Sequence, residues 1–409
     1  MYFRHFISVL KLSLLLLVHA YSYGQTRYQK DFEYYWNTIN NNFSYFDSQK
    51  TNWKKVKDIY QPIADTISSS SSFLRFLETV NHEFYNGHIS LNANLSSSSK
   101  LIPTGSDLWV IFKDKHFIIS ATRKGFNAEL SGLKKGMIIT QYNGIPIYDA
   151  VQHVLPKSVL NYDNRMFEYA ANLVLAGTHD NKRKITVLTN DGEKTYFPDS
   201  NINRLEFDKQ SIIEHKIISP GIGYIKVNNS LGNMELIKAF DSTLNLVWNT
   251  RGLILDLRET PSGGNTTVAR AIMSRFIDKD MPYQKHSLPG EERQFGVKRS
   301  WVEWVSPRQR IYKKKLVVLV NRWTGSMGEG LAIGFDGMKR AQIVGDKMAG
   351  LLGAIYSFNL PETKIGFSIP VEKLFHVNGL PREQFVPAIL ETDNEKILEK
   401  AIKLFNVKD

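Results

Sequence analysis

The sequence predicts an α/β fold. From about residue 215 onward, short apolar segments alternate with helical segments, and this alternation is typical of a sheet covered by helices. The apolar segments are residues 222–227, 252–256, 316–320 and 341–345, and the helical segments are 234–249, 265–277 and 327–340.

Length and composition indicate a globular protein of several units. The 409 residues are enough for two to four domains, and 42% apolar with 22% charged residues excludes disordered, collagen-like and coiled-coil chains. The absence of cysteine excludes a disulfide scaffold, a thiolate metal site and a cysteine nucleophile. The net charge is +12, but the basic residues are scattered, so we expect a solvated surface and no nucleic-acid partner.

Residues 1–24 have the layout of a secretory signal peptide. Arg4 and Lys11 precede the apolar stretch 12–18, and small residues follow up to Gly24. An N-terminal membrane anchor is the alternative. The signal layout predicts export to the periplasm or the extracellular space. No later stretch reaches 18 continuous apolar residues, so we expect no stable membrane insertion after the signal is removed.

Two units are expected between the signal and the α/β region. Residues 25–92 carry apolar side chains at helical spacing and predict a small helical unit that leads into Asn86-Gly87-His88. Residues 101–200, with approximate boundaries, contain strand-like runs at 108–112, 116–119 and 184–188 and predict a β-rich module. Residues 210–409 then form the α/β core.

Ser326 is the first candidate for chemistry. It follows the apolar strand 316–320 and stands where the next helix begins, among free backbone N–H groups and at the positive end of the helix dipole. Such a position suits a nucleophile whose attack creates an oxyanion, although serine is also a favoured N-cap. A second strand–helix junction, 256–265, contains Gly263 and Gly264, whose N–H groups could complete an oxyanion hole.

Seven short segments in order resemble a family of serine peptidases, the one that contains the tail-specific (C-terminal processing) proteases and the tricorn core protease. The segments are 86–88, 128–139, 223–225, 256–265, 326–329, 343–346 and 387–389. The resemblance implies a helical N-terminal unit, a PDZ-like module and a core similar to the ClpP/crotonase spiral of strands and helices.

Residue roles follow from the same resemblance. Ser326 matches the nucleophile, with Glu329 three positions later, while the lysine base of the tail-specific branch is replaced by Leu351. A Ser–Lys dyad is therefore not expected. His88 matches the base of the tricorn-like branch, and a neutral imidazole can take a hydroxyl proton near pH 7; the alternative is a hydrogen-bonded structural histidine. Glu383 is the candidate for the late acid that orients the histidine.

Some positions depart from the family pattern. Gly87 and Ile89 flank His88 where the family often has Ser or Thr, so Ser90 or Tyr85 could substitute as the orienting group. Glu259 replaces a glycine in the second junction. The backbone N–H groups expected to form the oxyanion hole are those of Met327 and of Ser262 or Gly263.

The function predicted from these residues is that of an exported serine endopeptidase. It would work through an acyl-enzyme with a Ser/His arrangement, with no metal or cofactor, because His82-Glu83 lacks the second histidine of a zinc motif. The partner would be a polypeptide substrate, with its C-terminal tail as one candidate for the bound segment, since PDZ domains add a peptide as an extra strand. The alternative is a non-catalytic protein that binds a peptide or an apolar ligand on the same scaffold.

Overall fold

The computed structural model describes residues 25–200, 211–218 and 221–406. The predicted signal peptide, residues 1–24, lies outside the described residues. None of the helices in the described ranges combines the length and the apolar character needed to cross a bilayer.

Three helices form the N-terminal unit: α1 (Arg27–Asn42), α2 (Trp53–Ala64) and α3 (Ser70–Asn81). Thr26, Asn52 and Ser69 cap them, each accepting a hydrogen bond from a backbone N–H in the first turn. Aromatic side chains of the three helices pack against one another in a buried cluster. The short strand β1 (Ser90–Leu91) then pairs antiparallel with strand β16 (Gly366–Phe375) of the core, so the chain after His88 is joined to a core sheet.

The module is a six-stranded sheet with three helices. Its strands are ordered β2-β3-β4-β6-β7, with β5 on β4, so β2 is the first strand in this order. The elements are β2 (Leu108–Lys113), β3 (His116–Thr122), α4 (Asn127–Leu130), β4 (Ile138–Tyr142), β5 (Ile145–Pro146), α5 (Ile147–Gln152), α6 (Asn164–Ala176), β6 (Ile185–Thr189) and β7 (Gly192–Tyr196).

The core is built on a mainly parallel sheet of order β17-β14-β13-β10-β9-β8, in which only the edge strand β8 is antiparallel. Its strands are β8 (Ile213–Ile218), β9 (Ile222–Asn228), β10 (Gly252–Glu259), β13 (Lys315–Val320), β14 (Gln342–Gly345) and β17 (Ile389–Leu390). The helices of the core are α7 (Glu235–Leu246), α8 (Thr266–Met273), α9 (Pro289–Phe295), α10 (Met327–Gly337) and α11 (Asn394–Leu404). The predicted α/β class is confirmed.

A second core sheet has the order β1-β16-β11-β12, with β15 on β16. Its core strands are β11 (Met281–Ser287), β12 (Ser300–Val305), β15 (Ala354–Asn359) and β16 (Gly366–Phe375). The domain boundaries stay predictions, and residue 210, where the core is predicted to begin, lies outside the described residues.

The sheet order places the two candidate junctions side by side. Strands β10 and β13 are parallel neighbours, with Asp256 opposite Leu319, and their loops meet again where Thr260 bridges Thr324. The carboxyl ends of neighbouring parallel strands form the common binding edge of α/β sheets. Ser326 and the 259–265 loop therefore share that edge.

Candidate active site

Ser326 stands on a sharp turn between β13 and α10. Its backbone has φ +52° and ψ −110°, a left-handed conformation that is uncommon for a residue with a Cβ. The side chain is partly exposed, and the residue N–H donates to Glu329 Oε2 at 2.7 Å. A strained, partly exposed serine at a helix N-terminus has the geometry of a nucleophile elbow.

The Glu329 carboxylate ties this elbow to a second segment. Glu329 is fully buried, and its other oxygen accepts a hydrogen bond from the Gly350 N–H at 2.9 Å. Gly350 belongs to residues 346–353, which connect β14 to β15 and are called here the 346–353 loop. Burial raises the pKa of Glu329 to about 7, against the opposing charge of Arg382, whose guanidinium lies 3.9 Å away.

Gly263 packs directly against the elbow. A Cβ at this position would lie 2.3 Å from Ser326 Cβ, and the residue has φ +66°, so only glycine fits. The Gly263 N–H, however, donates to Thr260 O at 3.2 Å, and the Ser262 N–H donates to Asn229 Oδ1 at 2.9 Å.

The two alternatives predicted for the second donor of the oxyanion hole, Ser262 and Gly263, thus both have their N–H groups engaged. The N–H groups of Ser262 and Gly263 stabilise their own loop in this structure. The N–H groups of Met327 and Gly264 have no hydrogen-bond partner among the described residues.

His88 is buried, and its ring is held by a main-chain carbonyl. Nδ1 lies 2.6 Å from Leu352 O, so Nδ1 carries the proton and Nε2 keeps a lone pair. Within the described residues no hydrogen bond joins His88 to Ser326. Burial lowers the pKa of His88 to about 4, and the nearby positive charge of Arg382 acts in the same direction. The imidazole is neutral at pH 7.

Leu351 lies between the two segments that carry these residues. A Cβ on Gly87 would lie 3.2 Å from Leu351 Cδ2, and a Cβ on Gly325 would lie 3.2 Å from Leu351 Cδ1. One methyl group thus faces the backbone beside His88 and the other faces the backbone beside Ser326.

Asn86 and Arg382 hold the 346–353 loop in place. Asn86 Oδ1 accepts hydrogen bonds from the His88 N–H at 3.0 Å and the Leu352 N–H at 3.3 Å. Asn86 Nδ2 donates to Gly350 O at 3.2 Å. The buried Arg382 guanidinium donates to Leu351 O and Gly353 O, both at 2.9 Å. The loop that orients His88 is therefore itself fixed from two sides.

Glu383 does not orient His88. No hydrogen bond joins them within the described part of the chain, and Glu383 Oε2 is buried without a partner. Burial also raises the pKa of the Glu383 carboxyl, which weakens it as an anionic partner. The Tyr85 hydroxyl accepts a hydrogen bond from Lys50 N–H at 2.8 Å, and Ser90 lies in β1 opposite Ser368. The Leu352 carbonyl takes the orienting position instead.

A cavity of about 370 Å³ adjoins the site. Its walls come from all three parts of the chain, and Ser326 and His88 are not among its lining residues. The lining residues include Trp109, Glu168, Asn172, Glu329, Leu351 and Arg382. Leu351 and Glu329 thus form the wall between the cavity and the elbow. The described residues contain no group of three or more His, Asp or Glu that could hold a metal ion.

Two family descriptions match the chain. Residues 221–385 match peptidase family S41, and residues 25–80 match the tricorn protease C1 domain. The S41 match covers the part of the chain that carries Ser326 and Glu329. The predicted resemblance to these serine peptidases is confirmed, and the chain is a serine-type peptidase whose substrates are polypeptides.

Solved structures with the same fold cover nearly the whole chain. The photosystem II D1 C-terminal processing protease superposes with a TM-score of 0.58 at 16% identity, covering 91% of this chain and 97% of its own. Mature CPAF complexed with lactacystin gives 0.63 at 14%, covering 93% and 98%. A peptidase described as putative from Parabacteroides merdae gives 0.58 at 16%, covering 93% and 98%. At these identities the likeness is one of fold.

Proposed function

We propose that this peptidase is an exported serine endopeptidase in which Ser326 is the nucleophile and His88 the general base, without a Ser–Lys dyad. The observation that carries the proposal is the Ser326 elbow. It combines a left-handed backbone, a partly exposed side chain and the unengaged Met327 N–H at the start of α10.

In the first step Ser326 Oγ attacks the carbonyl carbon of the scissile peptide bond, and its proton passes to His88 Nε2. The Nδ1–H of His88 stays on Leu352 O and keeps the ring in the accepting tautomer. The oxyanion accepts hydrogen bonds from the Met327 N–H and, we propose, from the Gly264 N–H. His88 then gives its proton to the leaving amine, and water hydrolyses the acyl-enzyme by the reverse proton path.

This assignment requires a movement, because no hydrogen bond joins His88 to Ser326 within the described residues. Leu351 packs against the backbone of Gly87 and of Gly325, and we propose that its side chain withdraws so that the base and the nucleophile can share a proton. Asn86 and Arg382 hold the main chain of the 346–353 loop on both sides of Leu351. The rearrangement that we propose is therefore one of the Leu351 side chain.

Covalent labelling tests the nucleophile. The mature protein is treated with a fluorophosphonate, digested, and the adduct is located by mass spectrometry. We expect one adduct on Ser326, its loss in Ser326→Ala, and undiminished labelling in the control Ser131→Ala on the module. Labelling that persists in Ser326→Ala would contradict the proposal.

Export is the second part of the proposal and rests on residues 1–24. Expression with the native N-terminus, followed by N-terminal sequencing of the protein outside the cytoplasm, is expected to show a chain that begins near Gln25. A full-length chain that stays in the cytoplasm would contradict export.

A further inference from the structure

Buried polar atoms without a partner surround the cavity beside the elbow. Among the described residues, the buried side-chain atoms that have no hydrogen-bond partner include Gln49 Oε1, Arg322 Nε, Arg382 Nε and Glu383 Oε2, and all four of these residues line the cavity of about 370 Å³. Its volume lies at the lower end of the range for ligand pockets, about 300–1,000 Å³. A buried polar atom without a partner is destabilising, and a polar ligand in the cavity would supply the missing partners.

Arg322 is the group in this cavity that points most directly to a ligand. Its side chain is 16% exposed, and it donates no hydrogen bond to any residue that the structure describes. Its Nε lies 3.5 Å from Asp346 Oδ2, and its Cζ lies 5.6 Å from the centroid of the Trp109 ring, a cation–π distance. The guanidinium is a planar fork of N–H donors that matches a carboxylate in bidentate geometry, and within the described residues no acceptor takes its terminal amino groups.

The turn that carries Ser326 also carries Arg322, and its main chain is anchored. Asn321 Oδ1 accepts a hydrogen bond from the Trp323 N–H at 2.9 Å, and the fully buried Trp323 ring donates through Nε1–H to Ser106 O at 2.9 Å. Arg322 lies between these two anchored residues, four positions before Ser326. A side chain on such a rigid turn can bind a substrate group at a low entropic cost.

The charge of the cavity favours an anion. Within the described residues, four basic and three acidic side chains line it, and burial raises the pKa of all three carboxyls, those of Glu168, Glu329 and Glu383. The positive charges of Arg322 and Lys347 oppose this rise at Glu168. In the described part of the chain the Lys347 side chain forms neither a hydrogen bond nor an ion pair. The cavity is therefore complementary to a negatively charged group.

Leu351 separates this cavity from the elbow. It lines the cavity, and its Cδ1 lies beside the backbone of Gly325. When the Leu351 side chain withdraws, as proposed above, the cavity opens towards Ser326. The substrate residue that carries the scissile carbonyl is the one nearest to Ser326, so its side chain is the one that enters. A chain end bound here would restrict cleavage to the last residues of a polypeptide, and this would not be endopeptidase activity.

We propose that this cavity is a specificity subsite for an acidic side chain, that of the aspartate or glutamate whose carbonyl Ser326 attacks. Arg322 is the residue that determines this specificity, and Lys347 is a second cation that supports it. The inference rests on the proposed role of Ser326 as nucleophile. It adds the class of substrate, which is a polypeptide with an acidic residue immediately before the cleaved bond.

The test is a binding measurement in Ser326→Ala protein, which cannot cleave the probes. The probes are two fluorescein-labelled octapeptides of alanine and valine, both amidated at the C-terminus, with either glutamate or glutamine at one central position. Glutamate and glutamine have nearly the same shape and differ in charge. By fluorescence anisotropy we expect the dissociation constant of the glutamate peptide to be roughly 30-fold lower, the equivalent of about 2 kcal/mol at 1.4 kcal/mol per decade.

Variants assign this preference to the two cations. Arg322→Met removes the charge and keeps an unbranched side chain, so the 30-fold ratio between the peptides should fall to about one. Lys347→Met, at an exposed position, should lower the ratio roughly threefold, and it tests the proposal if Arg322→Met does not fold. The matched control is Lys298→Met, which removes an exposed positive charge outside the cavity and should keep the ratio. Each ratio compares two peptides on one protein, so a general weakening of binding in a variant cancels.

Equal affinities of the two peptides for the parent, binding of neither peptide, or an unchanged ratio in Arg322→Met would each overturn the proposal. A glutamine peptide with a free C-terminal carboxylate that binds as tightly as the amidated glutamate peptide would also overturn it, because the cavity would then take a chain end. In the wild type, mass spectrometry should find the glutamate peptide cleaved on the carboxyl side of glutamate, and cleavage only at another bond would contradict the proposed subsite. A failure of fluorophosphonate labelling in protein with Ser326 would refute the nucleophile and leave the binding result standing.

Discussion

Replacing Glu329 by glutamine should remove a pH-dependent penalty on folding. Burial raises the pKa of Glu329 from 4.5 to about 7, so between these values the folded protein holds a proton that the unfolded chain has released. Stability then falls as the pH rises through this window. At 1.36 kcal/mol for each pH unit, the loss is about 3 kcal/mol. The glutamine in Glu329→Gln does not titrate, so the variant would not show this loss.

The assay is urea unfolding of the wild type and Glu329→Gln at pH 5 and pH 8. Glutamine can accept only one of the two hydrogen bonds from Ser326 N–H and Gly350 N–H, so the variant should be less stable at pH 5 by about 1–3 kcal/mol. Between pH 5 and pH 8 the difference in unfolding free energy between the two proteins should shift by about 2–3 kcal/mol in favour of the variant. The deficit therefore shrinks or reverses at pH 8.

Comparing the two proteins cancels the contribution of His88, whose lowered pKa makes stability rise with pH between about 4 and 6.5. The exposed Glu399→Gln on α11 is the control and should show no such crossover. A difference between wild type and Glu329→Gln that is the same at both pH values would refute the assignment of a buried carboxyl with a raised pKa.

Two further predictions concern the elbow and the module. Gly263→Ala should reduce kcat/KM at least a hundredfold, because its Cβ would lie 2.3 Å from Ser326 Cβ. The control is Gly136→Ala, at φ +91° with nothing within 4 Å of the added Cβ, which should lose about 1 kcal/mol of stability and keep its activity. Equal activities of the two variants would contradict this prediction. Arg183→Met should lower stability by about 3–5 kcal/mol in urea unfolding, because it leaves the carboxylates of Asp107 and Asp199 buried without their cation. A loss below about 1 kcal/mol, no larger than that of the exposed Arg165→Met, would show that this buried cluster is not a stabilising unit.

The parallel core sheet could be predicted because its strands are continuous apolar runs. Residues 252–256 and 316–320 lie within β10 and β13, which are buried on both faces. The second sheet left no comparable pattern. Strand β11 carries Lys285 and His286 among its residues, and β16 is paired with β1 from the N-terminal unit, a partner far away in the sequence. Pairing at that distance is set by the tertiary fold.

The elbow could be predicted for a similar reason, since a buried strand followed by a short turn and a helix places Ser326 by local rules alone. The partner of His88 could not. It is the carbonyl of Leu352, and every residue has a carbonyl, so no side chain marks the position. Sequence motifs mark side chains only, and for this reason the sequence points to Glu383 and not to a carbonyl as the group that orients His88.

The hydrogen bond between Asn172 and Val110 could not be predicted for the same reason. Asn172 Oδ1 accepts it from the main-chain N–H of a strand in a different part of the module. The engagement of the Ser262 N–H by Asn229 could not be predicted either, because it is a contact between two loops that neither loop's sequence reveals.

The central claim is that His88 takes the proton from Ser326. It is tested most directly by the pH dependence of the rate at which a fluorophosphonate modifies Ser326 in the wild type and in His88→Ala. We predict a rate that rises from acid pH with a midpoint near the lowered pKa of His88, about 4, is level through pH 7, and falls about a hundredfold or more in His88→Ala. Modification of His88→Ala at the wild-type rate, or a wild-type rate that rises only above pH 8, would contradict the account.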